Sequence, residues 1–585
     1  MPRSLAGRDV ATAILGYGGL LVWLTWPLVG VWETALPLTA KACRFDSQLL
    51  GWALAHQSDV LLGSGAAFFD GGAFHPDPRS LLFGEAAFGA LPFFFPGYAI
   101  SGNPTLALNF VFLGGLLFSF VSLHLVVQSL TGSRAAGLVA VSFLVGTRWL
   151  LWQWAPCAPN YAWVGWLPWI FLILVRGVST RARTVGLAVL LAMQGLASIY
   201  LAVAAWLVVG VRALVDLARQ RTRSEGLRIV AALVLASLPL LAAFLPYVLT
   251  RAANPELADQ SIWKGTMQLT RFPWGPLDGR LPTGVPLAGL LLVVWGGLAV
   301  LRDRIRPAGA EGPVDGIAAG RGTDRAAAWR HALLWIAVGV VASFTPWARL
   351  GDEIVRMPHA LLADLLDAYS VIRAPHRLGI VALVGLAAAG GLAFARLTER
   401  WRDRPVLVGV LAAVLSGLLM AEGARSSGVD RYARPQRLPG AYPVLSVPGG
   451  EGVLADALAS GSGPLLELPV PRNRRGRTAP EPQVRAMYRA IHHGRPVLNG
   501  YSGYWPQGFE ARLALARRLP DADALERLVR DTGLRAILVH TQRLAPAARA
   551  AWQGASIAGG RLRRMASENG SVLFEVVRLP RDSVR

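Results

Sequence analysis

Apolar runs of roughly 18 to 28 residues recur along this chain from Ala11 to Glu422 and then cease. Each is long enough to cross a bilayer core of about 30 Å as a helix, and short polar gaps separate them. The first run is 11–31. The stretch 82–100 is apolar but interrupted by Glu85, Pro92 and Pro96, which predicts a helix lying on the membrane surface, opened by an acid. Later crossings are expected at 105–130, 135–153, 161–176, 184–199, 200–215, 229–250, 284–301, 331–347, 378–395 and 405–422. The pattern is that of an α-helical polytopic membrane domain over residues 1–422, with about eleven transmembrane helices.

From Gly423 the pattern changes to short β-type runs alternating with amphipathic ones. Strands are expected at 465–468, 496–499, 536–540 and 572–577, with helices near 482–493, 508–518, 521–532 and 545–553. Residues 423–585 therefore read as a small α/β soluble domain.

Composition refines this picture at two points. The formal net charge is +22, but the chain has only two lysines, Lys41 and Lys264, and its arginines fall in the gaps between spans. That distribution is a topology signal and argues against nucleic acid as a partner. Placing Arg134, then Arg176–Arg183, Arg212–Arg228, Arg302–Arg330 and Arg396–Arg404 inside puts the N-terminus in the cytoplasm and the C-terminal domain outside. The expected location is the plasma or inner membrane, with the first run retained as an anchor. The two cysteines, Cys43 and Cys157, both fall in segments expected outside, so one bridge is open to them and a thiolate metal site is not.

The longest outer segment is 32–104, and long loops between spans usually carry function. Leu49, Leu50, Ala53, Leu54, Val60 and Leu61 predict a surface helix opening at Asp46. Asp46 has two readings: an N-cap, or a carboxylate held at the water–lipid boundary as a general base. Asp59 is thirteen residues on, about 20 Å along a straight helix, and shares no ion with Asp46 unless the chain bends. The run Phe69–Pro78 forms a turn system that could return Asp70, His75 or Asp77 toward Asp46, or leave them as exposed turn residues. Glu85, an acid in an apolar setting, is with Asp46 a candidate catalytic residue, against a structurally paired acid.

Three stretches, FDSQLLGWALAH, FFDGGAFHPDP followed by LLFGEAAFGALPFFFPGYAISGNPTLALN, and LTGSRAAGLVAVSFL, resemble the bacterial membrane glycosyltransferases of the C-type fold. That group includes relatives of lipid A aminoarabinose transferases and protein mannosyltransferases. The resemblance implies an acidic residue after the first span that serves the transfer, matched here by Asp46, and juxtamembrane helices before the second span. It implies a polyprenyl-phosphate-linked sugar as donor, an extracytoplasmic acceptor and the bilayer as environment. Asp46 is flanked by Phe45 and Ser47 and lacks the paired acidic motif of metal-dependent members, so no cofactor is certain and a divalent cation stays open.

The implied donor phosphate asks for cations at the outer boundary. Arg373 and Arg377, in SVIRAPHRLG, offer forked donors, or anchor lipid headgroups instead. Lys264, Arg271 and Arg280 are secondary candidates. Tyr161, within a cluster including Trp149, Trp154 and Trp163, is a candidate for stacking on sugar or isoprenoid, against an interfacial belt; Tyr504 lies in NGYSGYWP, read as a loop that docks at the site mouth and helps hold the acceptor, against a domain-packing loop. Asp59 and His75 complete the substrate-binding set. Two rivals share the donor: a transporter or flippase of a lipid-linked saccharide, and a polymerase or ligase of surface polysaccharide. No nucleotide-binding glycine loop and no HExxH occur.

Overall fold

A computed structural model describes residues 7–38, 45–85, 87–147, 149–259, 269–271, 285–305, 316–344, 346–350, 352–365, 372, 374–425, 440, 442–473, 476–553 and 557–577. The apolar runs form α1 (Gly7–Leu24), α4 (Pro104–Thr131), α5 (Arg134–Gly146), α6 (Trp154–Cys157), α7 (Trp166–Val175), α8 (Arg181–Ala197), α9 (Ile199–Leu217), α10 (Arg223–Ala253), α11 (Leu287–Ile305), α12 (Gly316–Ser343), α13 (Ile380–Leu397) and α14 (Pro405–Arg425). Between α1 and α4 lie α2 (Asp46–Leu61) and α3 (Leu91–Ser101). Among the described residues six helices are long and apolar enough to cross a membrane, or seven if the bent pair around α5 and α6 is one span. The protein is thus a polytopic membrane protein. The other runs give helices that are shorter or end in charge: α1 ends at Leu24, before Pro27, α8 has 17 residues, and α11 has 19 but carries Arg302, Asp303 and Arg304 in its last turn.

Local chemistry sets these boundaries. At the start of α4 the Asn103 side chain accepts from the amides of Thr105 and Leu106, with Pro104 at the first helical position. The helix closes on Gly132, whose φ of 73° suits a residue without Cβ. Ser133, Thr180 and Ser198 cap α5, α8 and α9 in the same way.

α13 is the hub of the bundle and is wholly enclosed by other helices. It carries Ala and Gly along its length, so neighbouring backbones approach closely: Gly385 rests on Ala332 and Trp335, and Gly391 on Val127 and Ala136. α10 is at the opposite extreme, with Leu238, Leu241, Leu245 and Val248 exposed, the surface expected of a lipid-facing helix.

The segment between α1 and α4 differs from expectation in one respect. The spacing predicts a surface helix from Leu82, opened by Glu85; instead a 3₁₀ turn covers Ser80–Phe83, the chain is extended at Gly84, and α3 begins only at Leu91. Gly89 explains the break. Its amide bonds to the Leu196 carbonyl at 2.8 Å, and a Cβ there would lie 2.6 Å from the Ala197 backbone nitrogen. Tertiary packing against the α8–α9 turn outweighs helix propensity and holds Glu85 outside any helix.

Toward the C-terminus, β2 (Val444–Ser446) pairs antiparallel with β1 (Ala35–Pro37), tying the two halves of the chain together. A four-stranded sheet follows in the order β3 (Leu465–Leu468), β4 (Ala536–His540), β6 (Ser571–Val576), β5 (Leu562–Glu568). The β3–β4 pair is parallel and the other two are antiparallel. Helices α15 (Pro480–His493), α16 (Phe509–Ala516) and α17 (Ala522–Thr532) accompany it. The run 496–499 contributes one bridge, Val497 to Leu465, rather than a strand. Trp52, Ala73, Phe74, Leu81 and Phe83 from the first loop join the apolar cluster of Leu466, Ile537, Leu538 and Phe574. The α/β segment and the loop carrying Asp46 thus share one core.

Candidate active site

Asp46 stands at the first position of α2, and Phe45, not Asp46, is the capping residue. The Leu49 amide bonds to the Phe45 carbonyl at 3.2 Å, so the cap reading of Asp46 does not hold. Its carboxylate turns to the site instead. Oδ1 accepts from the Tyr501 hydroxyl at 3.3 Å, and Oδ2 lies 3.7 Å from Sγ of Cys157. Cys157 is disulfide-bonded; Cys43, the only other cysteine, lies outside the described residues. Burial pushes the Asp46 carboxyl up to about 6, against the pull of Arg377 and the Tyr501 hydroxyl, and the negative charge of Glu85 adds to the rise.

Arg377 comes from the turn Pro375–Gly379 that leads into α13. Its guanidinium is caged by three rings, with centroids at 4.4 Å for Trp154, 4.8 Å for Tyr200 and 5.2 Å for Tyr161. Such contacts favour a desolvated cation by about 2 kcal/mol at best each. Nη1 donates to the Tyr161 hydroxyl at 2.8 Å, while Nε is buried with no hydrogen-bond partner among the described residues. Both Asp46 and Glu85 lie within electrostatic reach of this cation.

Glu85 completes the arrangement. Oε1 accepts from the Ser198 hydroxyl at 2.5 Å and the Ile199 amide at 3.1 Å, and Oε2 from the Tyr161 hydroxyl at 3.1 Å. The carboxylate thus sits at the N-terminus of α9, where free amides and the helix dipole favour an anion. Tyr161 links the two charges, donating to Glu85 and accepting from Arg377. Six segments distant in sequence converge here: the start of α2, the break before α3, the stretch from α6 to the turn Pro159–Ala162, the α8–α9 turn, the turn before α13 and the loop that carries Tyr501.

Of the residues singled out from the sequence, Asp46, Glu85, Arg377 and Tyr161 come together. Asp59 does not. It lies at the far end of α2, where Tyr98 donates to it while burial raises its carboxyl above the usual range. His75 bonds through Nε2 to the Thr532 carbonyl at 3.0 Å and fastens the first loop to α17. Asp77 pairs with Arg512 of α16, and Asp70 accepts from the Gly72 amide within its own turn. The Tyr504 hydroxyl accepts from Arg251 at 3.3 Å, a step away from Asp46. Arg373, Lys264, Arg280 and the side chain of Arg271 lie outside the described residues. Trp154 and Tyr200 form the cage with Tyr161, and Tyr501 and Ser198 hold the acids; the sequence alone does not assign Tyr200, Ser198 or Tyr501 to the site. The signals were present as a serine cap within an apolar hairpin and as the first tyrosine of NGYSGYWP.

No group of three or more His, Cys, Asp or Glu side chains placed to hold a metal ion occurs among the described residues. Among the described residues Asp46 and Glu85 are the two carboxylates of the site. Every one of their oxygens except Asp46 Oδ2 already accepts a hydrogen bond, and the nearby positive charge is a guanidinium. This donor set fits a divalent cation poorly.

No family model and no curated protein matches this chain. Solved structures do. The arabinofuranosyltransferase AftD from Mycobacteria aligns over 99% of this chain at 15% identity with a TM-score of 0.54, and a mutant of it over 99% at 14% with 0.55. This chain spans 40% and 42% of those chains. ArnT from Cupriavidus metallidurans bound to undecaprenyl phosphate aligns over 97% of this chain and 98% of its own at 14% identity, with a TM-score of 0.39. The chain has the fold of the C-type membrane glycosyltransferases.

Proposed function

We propose that this protein is a membrane glycosyltransferase that moves a sugar from a polyprenyl-phosphate donor to a hydroxyl acceptor at the outer face of the plasma or inner membrane. The observation that carries this reading is the caged Arg377, with an unengaged donor nitrogen, beside a carboxylate whose proton affinity is raised. A guanidinium walled by aromatic rings is built for an anionic group at the edge of lipid.

In this reading the donor phosphate sits against Arg377. Asp46 takes the proton of the acceptor hydroxyl as that oxygen attacks the anomeric carbon, and the bond from that carbon to the phosphate oxygen breaks. The electron pair passes to the phosphate, whose growing charge Arg377 stabilises, and polyprenyl phosphate leaves. One displacement inverts the anomeric configuration. Glu85 fixes Tyr161 and the start of α9 and so holds the cage around Arg377. Phe68, Phe88, Phe244 and Tyr247 pack as a band of rings near Glu85, two of them on α10 with the exposed Leu241 and Leu245, and would receive the isoprenoid chain. Arginine asymmetry of the gaps favours the cytoplasm for the N-terminus and the outside for residues 423–585. AftD transfers arabinofuranose by name; here a pentose or a hexose would suit the site equally.

Release of polyprenyl phosphate from a panel of polyprenyl-phosphate pentoses and hexoses tests the reading, since a transporter would return such donors intact. The base must be ionised to act, and its carboxyl is raised to about 6. Activity is therefore fully present above that value and is expected to fall about tenfold per pH unit below it. A flat kcat/KM profile from pH 7 to pH 4.5 would rule Asp46 out as the base.

A further inference from the structure

The loop Gly500–Trp505 touches Asp46 and the residue before Glu85, and is fixed from two sides. On its own side, the Asn499 side chain bonds to both backbone groups of Glu467, at 2.7 and 3.0 Å, and the Gly500 amide bonds to Gln483 at 3.2 Å. On the first-loop side, Gly500 lies flat on Phe74, so that a Cβ would sit 2.2 Å from the ring, and the Tyr504 amide bonds to the Phe83 carbonyl at 2.9 Å. Ser502 packs on Gly84, the residue before Glu85, where a Cβ would come within 2.7 Å of its hydroxyl. Between these anchors Tyr501 reaches Asp46.

We infer that Tyr501 is a positioning residue for the transfer: it occupies Oδ1 of Asp46, leaves Oδ2 as the oxygen that receives the acceptor proton, and makes the site's readiness depend on docking of the C-terminal segment. This rests on the reading of Asp46 as the base. Tyr501 keeps its own proton throughout; the proton that moves passes from acceptor oxygen to Oδ2. Among the described residues the groups facing Asp46 are Arg377 from the turn before α13, Glu85 from the break before α3, Tyr501, and Cys157 of α6, which is disulfide-bonded and does not titrate. From α15, packed along α2, Tyr488 directs its hydroxyl to Thr105 at 2.8 Å. Burial and Glu85 favour the neutral carboxyl, and Arg377 and Tyr501 favour the carboxylate, so loss of the Tyr501 hydroxyl leaves a net push toward protonation.

The test is an infrared pH titration of the full-length protein in lipid nanodiscs, following the protonated-carboxyl band that disappears in Asp46→Asn. Tyr501→Phe is expected to move the midpoint of that band up by about one pH unit, a tenfold change in the ionised fraction at a given pH. Incorporating 3-fluorotyrosine at position 501, which keeps the shape and strengthens the donor, moves it down and keeps the test decisive if the phenylalanine variant folds poorly. An unmoved midpoint in both proteins, or the absence of any Asp46-dependent band, overturns the inference. Because this readout needs no donor, it fails separately from the transferase reading, which falls if Asp46→Asn still releases polyprenyl phosphate while the midpoints move as stated.

Discussion

Arg377→Gln is expected to lower kcat/KM for a polyprenyl-phosphate donor by at least about 100-fold, on the order of 3 kcal/mol. Two effects add. Glutamine removes the charge that faces the phosphate, and it removes the cation for which Trp154, Tyr161 and Tyr200 form the cage. It also leaves Asp46 and Glu85 facing each other without the guanidinium that lowers the proton affinity of Asp46, so the acid limb of the pH profile moves upward. Arg377→Lys keeps the charge but loses the planar donor fork, and it is expected to restore the limb more fully than the rate. Steady-state release of polyprenyl phosphate between pH 5 and 8 separates the two effects. A glutamine variant with an unchanged donor KM and an unchanged limb would remove Arg377 from the site.

Asp46→Asn should abolish most transfer while sparing donor binding. The amide has the shape of the carboxylate and can still accept from Tyr501, but it cannot take a proton from the acceptor. General base catalysis contributes roughly 10²–10⁴ in rate, so kcat is expected to fall by about that factor. The donor KM should stay within a few-fold, because the phosphate is held by Arg377 and the chain by lipid-facing rings. Loss in KM with kcat intact would make Asp46 a binding group and not a base.

Much of this architecture was legible in the order of apolar and polar residues. The helices from α4 to α14 fall close to where hydropathy places them, and six or seven of them, among the described residues, are long and apolar enough to cross a bilayer. Asp46, Glu85, Arg377 and Tyr161 could be picked out because charge or a lone hydroxyl in an apolar setting is costly and therefore informative. Their mutual distances could not be read, since each arrives on a different element. The helix expected from Leu82 fails at Gly89, where contact with the Leu196–Ala197 backbone is a tertiary fact with no local signature. For His75 and Asp77 the sequence leaves chemistry and a plain turn both open, because turn residues and ligands have the same composition. Their partners, the Thr532 carbonyl and Arg512, lie more than 400 residues away and show them to be fasteners. Tyr501 and Tyr504 occupy one motif, and only the fold shows which of the two faces the acid.

The most direct test of the account is photocrosslinking with a polyprenyl phosphate that carries a diazirine on the isoprene unit next to the phosphate, followed by mapping of the labelled peptides. Label on the peptides of Trp154, Tyr161, Tyr200 or Arg377, competed by unlabelled polyprenyl phosphate and reduced in Arg377→Gln, is the predicted result. Competed label confined to the other end of α9, around Arg212 and the His331 ring of α12 that it bonds to, would contradict it.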